Sequence, residues 1–150
     1  MNMKLRTYAA ATAAAAAALA VVTATPAQAL SVTGDYQQHK NKLSGYVHVK
    51  IDGKKAGTVT WNADPGDWGV NSLGDSLYVR DSRSDGYAIQ GEAIVLSTGE
   101  GINVSTSGRT APVEVRKTRN LPEGTKIRFR GCVVKKGVKY GCTALYDGKA

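Results

Sequence analysis

The sequence predicts an all-β domain, an antiparallel β-sandwich of about seven or eight short strands. Three observations carry this expectation. After residue 29 no stretch sustains the i, i+3, i+4, i+7 apolar spacing of an amphipathic helix; apolar and polar residues alternate instead. Gly and Asp punctuate the alternating runs at short intervals, as turns do. Cys132 and Cys142 stand equidistant from Gly137, as partners across a hairpin would.

The first element is an address rather than structure. Lys4 and Arg6 form a positive n-region, Ala9 to Ala24 an apolar stretch, and Ala27-Gln28-Ala29 an A-x-A cleavage site preceded by Pro26. This is the pattern of a secretory signal peptide over residues 1–29, predicting export and a single secreted domain over 30–150. No cysteine lies near the cut to carry a lipid, and no later apolar run is long enough for a transmembrane segment.

The strands follow in order. Tyr46 to Ile51 puts Val47, Val49 and Ile51 on one face, and Asp52-Gly53 turns the chain. Gly57 to Trp61 returns with Val59 and Trp61 facing inward. Leu77 to Arg80 is short, and Asp81 to Gly86 is polar turn chemistry. Tyr87 to Leu96 is longer, with Gly91 read as a bulge. Ile102 to Ser105 and Val113 to Arg116 come next. Ile127 to Val134 then pairs with Val138 to Leu145, opposing Cys132 with Cys142, Val134 with Tyr140, and Phe129 with Leu145. Two cysteines in an exported chain predict a disulfide. Closing a loop of about eleven residues stabilises by about 3 kcal/mol in the chain-entropy model.

Leu121, Pro122, Gly124 and Thr125 lead into an alternating strand, and over 120–134 this resembles the E–F turn and strand F of fibronectin type III and immunoglobulin-like domains. Ile127 stands where that family places its corner tyrosine. The alanine-rich leader, "GDSLYVRDSRSDGYAIQG" and "LPEGTKIRFRGC" together resemble small secreted β-sandwich proteins of actinobacteria. The resemblance implies an exported sandwich and carries no substrate with it.

Charge and motifs bound the function. The chain has 20 basic and 12 acidic residues, net +8, and loss of Lys4 and Arg6 with the leader leaves +6. The basic residues concentrate from Arg109 onward, so the C-terminal half suits an anionic wall polymer or glycan; export argues against nucleic acid. Arg128 and Arg130 share a strand face, set opposite Tyr146 and Ala144. With Lys135, Lys136 and Lys139 they form a candidate basic patch.

Gly74-Asp75-Ser76-Leu77 spells the nucleophile block of the GDSL esterases. That chemistry needs a His base and an orienting Asp. The family places Asp-x-x-His late in the chain on an α/β fold, whereas His39 and His48 both precede Ser76 here. The block therefore reads as a chance match and the protein as non-enzymatic. Asp81, Asp85, Gly86 and Glu92 fall at calcium-loop spacing, but Arg83 occupies a ligand position; no metal or cofactor is expected. A looser calcium site at Asp64, Asp67 and Asp75 stays open.

The remaining candidate is "WNADPGDWG", residues 61–69. Trp61 continues the inward face of its strand. Trp68 sits in a long polar loop, where an aromatic ring beside Asp64, Asp67 and Asn71 could stack on a sugar. The favoured expectation is a secreted binding or surface-associated module with a basic C-terminal face. The alternatives are a lectin-like module built on Trp68 and a basic inhibitor or antimicrobial protein presenting the Lys135–Lys139 hairpin tip.

Overall fold

The computed structural model describes residues 29–150, so the signal peptide read over 1–29 lies, apart from Ala29, outside the described residues. Ten strands form in chain order: β1 (Val32–Gln38), β2 (Gly45–Ile51), β3 (Lys54–Asn62), β4 (Ser76–Asp81), β5 (Ala88–Val95), β6 (Gly101–Ser105), β7 (Val113–Thr118), β8 (Lys126–Lys135), β9 (Val138–Cys142) and β10 (Tyr146–Lys149). One sheet has the order β1-β2-β3-β4-β7; the other has β10-β8-β5-β6, with β9 also paired to β8. Every pair is antiparallel. Among the described residues no helix is long and apolar enough to cross a membrane.

The sandwich class is the one the alternation predicts, with ten strands rather than seven or eight. The extra strands are β1 and β10. Both sit at sheet edges and carry little apolar pattern: Val-Thr-Gly-Asp-Tyr-Gln-Gln and Tyr-Asp-Gly-Lys. In immunoglobulin-type sandwiches one sheet interleaves strands A, B, E and D. Here that sheet takes the first four strands in direct succession and then β7.

Alternation decides which side chains meet between the sheets. Val47, Val49, Val59, Trp61, Leu77 and Val79 point inward from the first sheet; Ile89, Ala93, Ile102, Ile127, Phe129 and Val133 answer from the second. Trp61 is 0 % exposed, as its place in the alternation predicts. Its indole Nε1 donates to the Lys149 carbonyl at 2.7 Å, so the one polar atom of the largest core residue also ties β3 to β10 across the sandwich.

Gly91 is not a bulge. It pairs in regular register with Val104 on one side and with Gly131 on the other. The reason for glycine is space between the sheets. A Cβ on Gly91 would lie 2.5 Å from Val79 Cγ2, and one on Gly131 would fall within 3.0 Å of Val49 Cγ2. The adjacent glycines make a hollow in the second sheet, and Val49, Val59 and Val79 of the first sheet fill it.

The C-terminal hairpin forms as predicted at its staple and deviates on either side. Cys132 and Cys142 are direct partners, disulfide-bonded with Cα atoms 4.0 Å apart. Lys136 and Gly137 both adopt positive φ (49° and 77°), the pattern of a two-residue type I′ turn. The register then shifts between Val133 and Val134, so Val134 faces Lys139 rather than Tyr140. Beyond the cystine the chain leaves the ladder and re-enters as β10, which places Tyr146 opposite Phe129 and Asp147 opposite Arg128. A bulge inserts one residue without leaving a clear mark in alternation, which is why equidistance from the turn located the cysteines and misplaced their neighbours.

Gly131→Ala should lower unfolding stability by about 1–3 kcal/mol, the usual cost of overpacking a filled core. Val49→Ala in the same chain should recover part of that loss. Denaturant unfolding of the two single variants and the double variant checks this; strictly additive losses would show that Val49 does not occupy the Gly131 hollow.

Candidate ligand-binding face

The residues that alternate away from the core on β2, β3, β4 and β7 form the outer face of the first sheet. Register lines them up across the strands. One row runs Tyr46, Thr60, Tyr78, Arg116; the next runs His48, Thr58, Arg80, Glu114. A third row, Asn62, Ser76 and Thr118, has the same parity. Asn62 and Ser76 are nonetheless buried.

What lies against this end of the face is the segment joining β3 to β4, residues 63–75. Its polar residues hold it in place. Asn62, 0 % exposed, donates through Nδ2 to the carbonyls of Asp64 (2.9 Å) and Leu73 (2.6 Å), clasping both ends of the loop. The Asp67 carboxylate accepts from Asn41 Nδ2 at 2.6 Å and from the Ser44 hydroxyl. Ser44 in turn accepts from the Ala63 N–H at 2.8 Å. The Leu73 N–H donates to the Tyr78 hydroxyl at 2.8 Å, and the Asp75 N–H to the Ala63 carbonyl at 2.9 Å. A loop with its backbone groups paired in this way is a scaffold for the side chains it projects.

Those side chains are apolar and outward. Trp68 is 36 % exposed and Val70 98 % exposed. The Trp68 ring stands edge-on to His39 (centroids 4.8 Å apart) and to Tyr46 (5.0 Å), and Tyr46 is 4.9 Å from His48. Beside Trp68 a groove of ≈ 430 Å³ opens over Thr60, bounded by Asn71, Tyr78, Glu114 and Arg116. Burial holds the His48 pKa below its ordinary value, with the Lys55 charge adding to the effect.

Trp68 and Asn71 therefore line one groove. Asp64 and Asp67 do not: Asp67 is directed into the protein toward Asn41 and Ser44, and the Asp64 backbone N–H points at the Asp67 carboxylate (3.5 Å). Asp75 is engaged elsewhere, accepting from the Leu121 N–H at 3.0 Å. So Asp64, Asp67 and Asp75 do not converge on a calcium site. Among the described residues the one group of three or more potential metal ligands within 4.8 Å of one another is Glu92, Cys132 and Cys142, and its sulfurs are bonded to each other.

Ser76 of the GDSL block is 0 % exposed. Its hydroxyl donates to the Gly74 carbonyl at 2.9 Å and lies 2.8 Å from Thr118 Oγ1. Asp75 adopts a positive φ of 47°. The tetrapeptide thus forms the turn that delivers the chain into β4 under the loop.

The basic patch is largely matched by the protein's own groups. Arg128 Nε is 2.9 Å from Asp147, its cross-strand partner in place of the expected Tyr146. Arg130 lies 2.7 Å from Glu92, which Lys139 also contacts. Lys135 Nζ sits 4.7 Å over the Tyr87 ring. Partial burial pushes the Glu92 pKa up, but the hydrogen bonds and charges of Lys139 and Arg130 more than offset this and hold it below the usual carboxylate value.

Tyr46, Thr60, Tyr78, Glu114 and Arg116 went unmarked in the sequence. Their signal was present as outward parity on four strands. Only the register shows that Tyr46, Thr60, Tyr78 and Arg116 share a row and that Glu114 stands in the next. No protein-family model matches the chain, and no characterised protein or solved structure matches it significantly.

Glu92 supplies a pH test. A depressed folded-state pKa contributes stability that is present above the unfolded value of 4.5 and is lost as pH falls through the folded value. Glu92→Gln should therefore lower the melting temperature at pH 7, by the equivalent of about 1–3 kcal/mol for charge-assisted bonds. That difference from wild type should shrink as the medium is made more acidic than the folded-state value. Melting curves across this range check it; an equal deficit at both extremes would assign the loss to packing instead.

Proposed function

We propose that the protein is an exported, non-enzymatic binding module that holds a glycan chain in the groove beside Trp68. The observation that carries this reading is a partly exposed indole, fixed by two aromatic neighbours, at the edge of a groove with polar walls. A sugar offers an apolar C–H face and a rim of hydroxyls. A fixed aromatic ring takes the first, and side chains such as Asn71, Glu114 and Arg116 take the second. Pre-organisation matters because a ring already held in position loses little freedom on binding. The groove lies along an open sheet face rather than in an enclosed cavity, which suits a polymer passing across it.

Export is read from the leader, and the Cys132–Cys142 disulfide is consistent with an oxidising compartment. The basic face along β8 and β9 is a less favoured docking surface, because Arg128, Arg130 and Lys139 already face carboxylates. Ser76 is assigned a structural role, since a serine nucleophile must be reachable and paired with a base.

Polysaccharide binding should be visible in tryptophan emission, since Trp61 is buried and Trp68 reports the groove. Trp68→Ala should weaken binding tenfold or more, about 1.4 kcal/mol, with the melting temperature little changed. Full retention of binding in that variant, or no binding by wild type across a glycan array, would sink this reading. Ester hydrolysis by wild type that disappears in Ser76→Ala would overturn the non-enzymatic assignment.

A further inference from the structure

The opposite end of the sandwich carries a pocket lined by cations. The loop 63–75 joins the end of β3 to the start of β4. At the far end of β4, about 17 Å of strand away, three other connections meet. They are the β4–β5 loop, the β6–β7 loop and the β8–β9 hairpin tip, and they enclose a pocket of ≈ 470 Å³. Four cations line it: Arg83, Arg109, Lys135 and Lys136.

These charges differ from Arg128, Arg130 and Lys139 on the strands. Among the described residues no carboxylate lies within 4.0 Å of Arg109, Lys135 or Lys136, whereas Arg128, Arg130 and Lys139 are all paired. Arg83 lies 3.4 Å from Asp85. Asp81, buried beneath the pocket, has its oxygens engaged by the Arg83 N–H at 3.0 Å and the Thr106 hydroxyl at 3.5 Å. Lys135 is held in place over Tyr87. Gly108 and Gly137 have φ of +78° and +77°, and a Cβ on either would meet nothing within 4 Å, so the turn backbones are open to an approaching group. Cations arriving from three separate connections around open turns suit an anion with several oxygens, which Arg grips by paired N–H bonds and Lys as a point charge. Like charges brought together without partners repel, and a bound anion relieves that repulsion.

We propose that this pocket binds a phosphate group, with a phosphodiester polymer as its natural source. The site is independent of the Trp68 groove. The test is an amide NMR titration of the protein with inorganic phosphate at constant ionic strength, with chloride as reference. Saturable shifts are expected in 82–87, 106–111 and 134–137. Arg109→Ala combined with Lys136→Ala, both at exposed turn positions, should weaken binding at least tenfold while the spectrum stays folded. Trp68→Ala should leave phosphate binding unchanged, so the failure of either site is read separately. Lys126→Ala combined with Lys149→Ala, remote basic positions, should also change nothing. A glycerol-phosphate oligomer should bind more tightly than the same concentration of inorganic phosphate. Absence of saturation up to about 50 mM phosphate, or equal shifts at basic residues everywhere, overturns the site. Binding of inorganic phosphate but not of the oligomer overturns the polymer as its source.

Discussion

The sandwich depends on a hollow. Gly91 and Gly131 stand directly opposite each other on β5 and β8, and where they sit the second sheet presents no side chain to the first. Val49, Val59 and Val79, on the three central strands of the first sheet, fill that space. Close packing makes such a fit nearly all-or-none, because a void loses contacts and an added methyl must displace neighbours. The seating of these valines brings the central strands of the two sheets together. With that contact made, Trp61 reaches the Lys149 carbonyl and ties in the edge strand β10.

The ends of the sandwich are built on another principle. Loop 63–75 is held by polar groups that are themselves buried or nearly so: Asn62, Ser44 and Asp67. A buried amide or carboxylate is costly unless bonded, so each of these residues accepts few arrangements of the loop. The result is a surface on which Trp68 is exposed while its ring is held against His39 and Tyr46, with Val70 exposed two residues on. Apolar side chains held out in water on a fixed scaffold do little for stability, and this is why the region draws a binding interpretation.

Charge is divided in a comparable way. The basic residues of the C-terminal half look like one patch in the sequence, but folding separates them. Arg128, Arg130 and Lys139, on the strands, meet Glu92 and Asp147 across the sheet. Those in the connections, Arg109 and Lys136 together with Lys135 at the strand end, line one pocket with Arg83. Alternation on a strand brings a side chain beside its cross-strand neighbour, whereas turns at one end of a sandwich crowd together whatever they carry.

The sequence by itself determined the class of the fold, the burial of Trp61 and the pairing of Cys132 with Cys142, because period-two alternation and symmetry about a turn are local properties. It also marked Trp68 and Asn71 as residues to watch, since both stand in a long polar loop. The tertiary structure alone decided the rest. Strands β1 and β10 are edge elements whose pairing supplies what their composition does not. Gly91 resembles a bulge until the opposing valine is seen. Asp64 and Asp67 look like ligands until Asn41 and Ser44, 26 and 23 residues before Asp67, come close to it. Tyr78 and Arg116 join Trp68 only through strand register. In each case the deciding partner lies on a different strand or loop, and contact between segments distant in sequence is the one thing a local pattern does not encode.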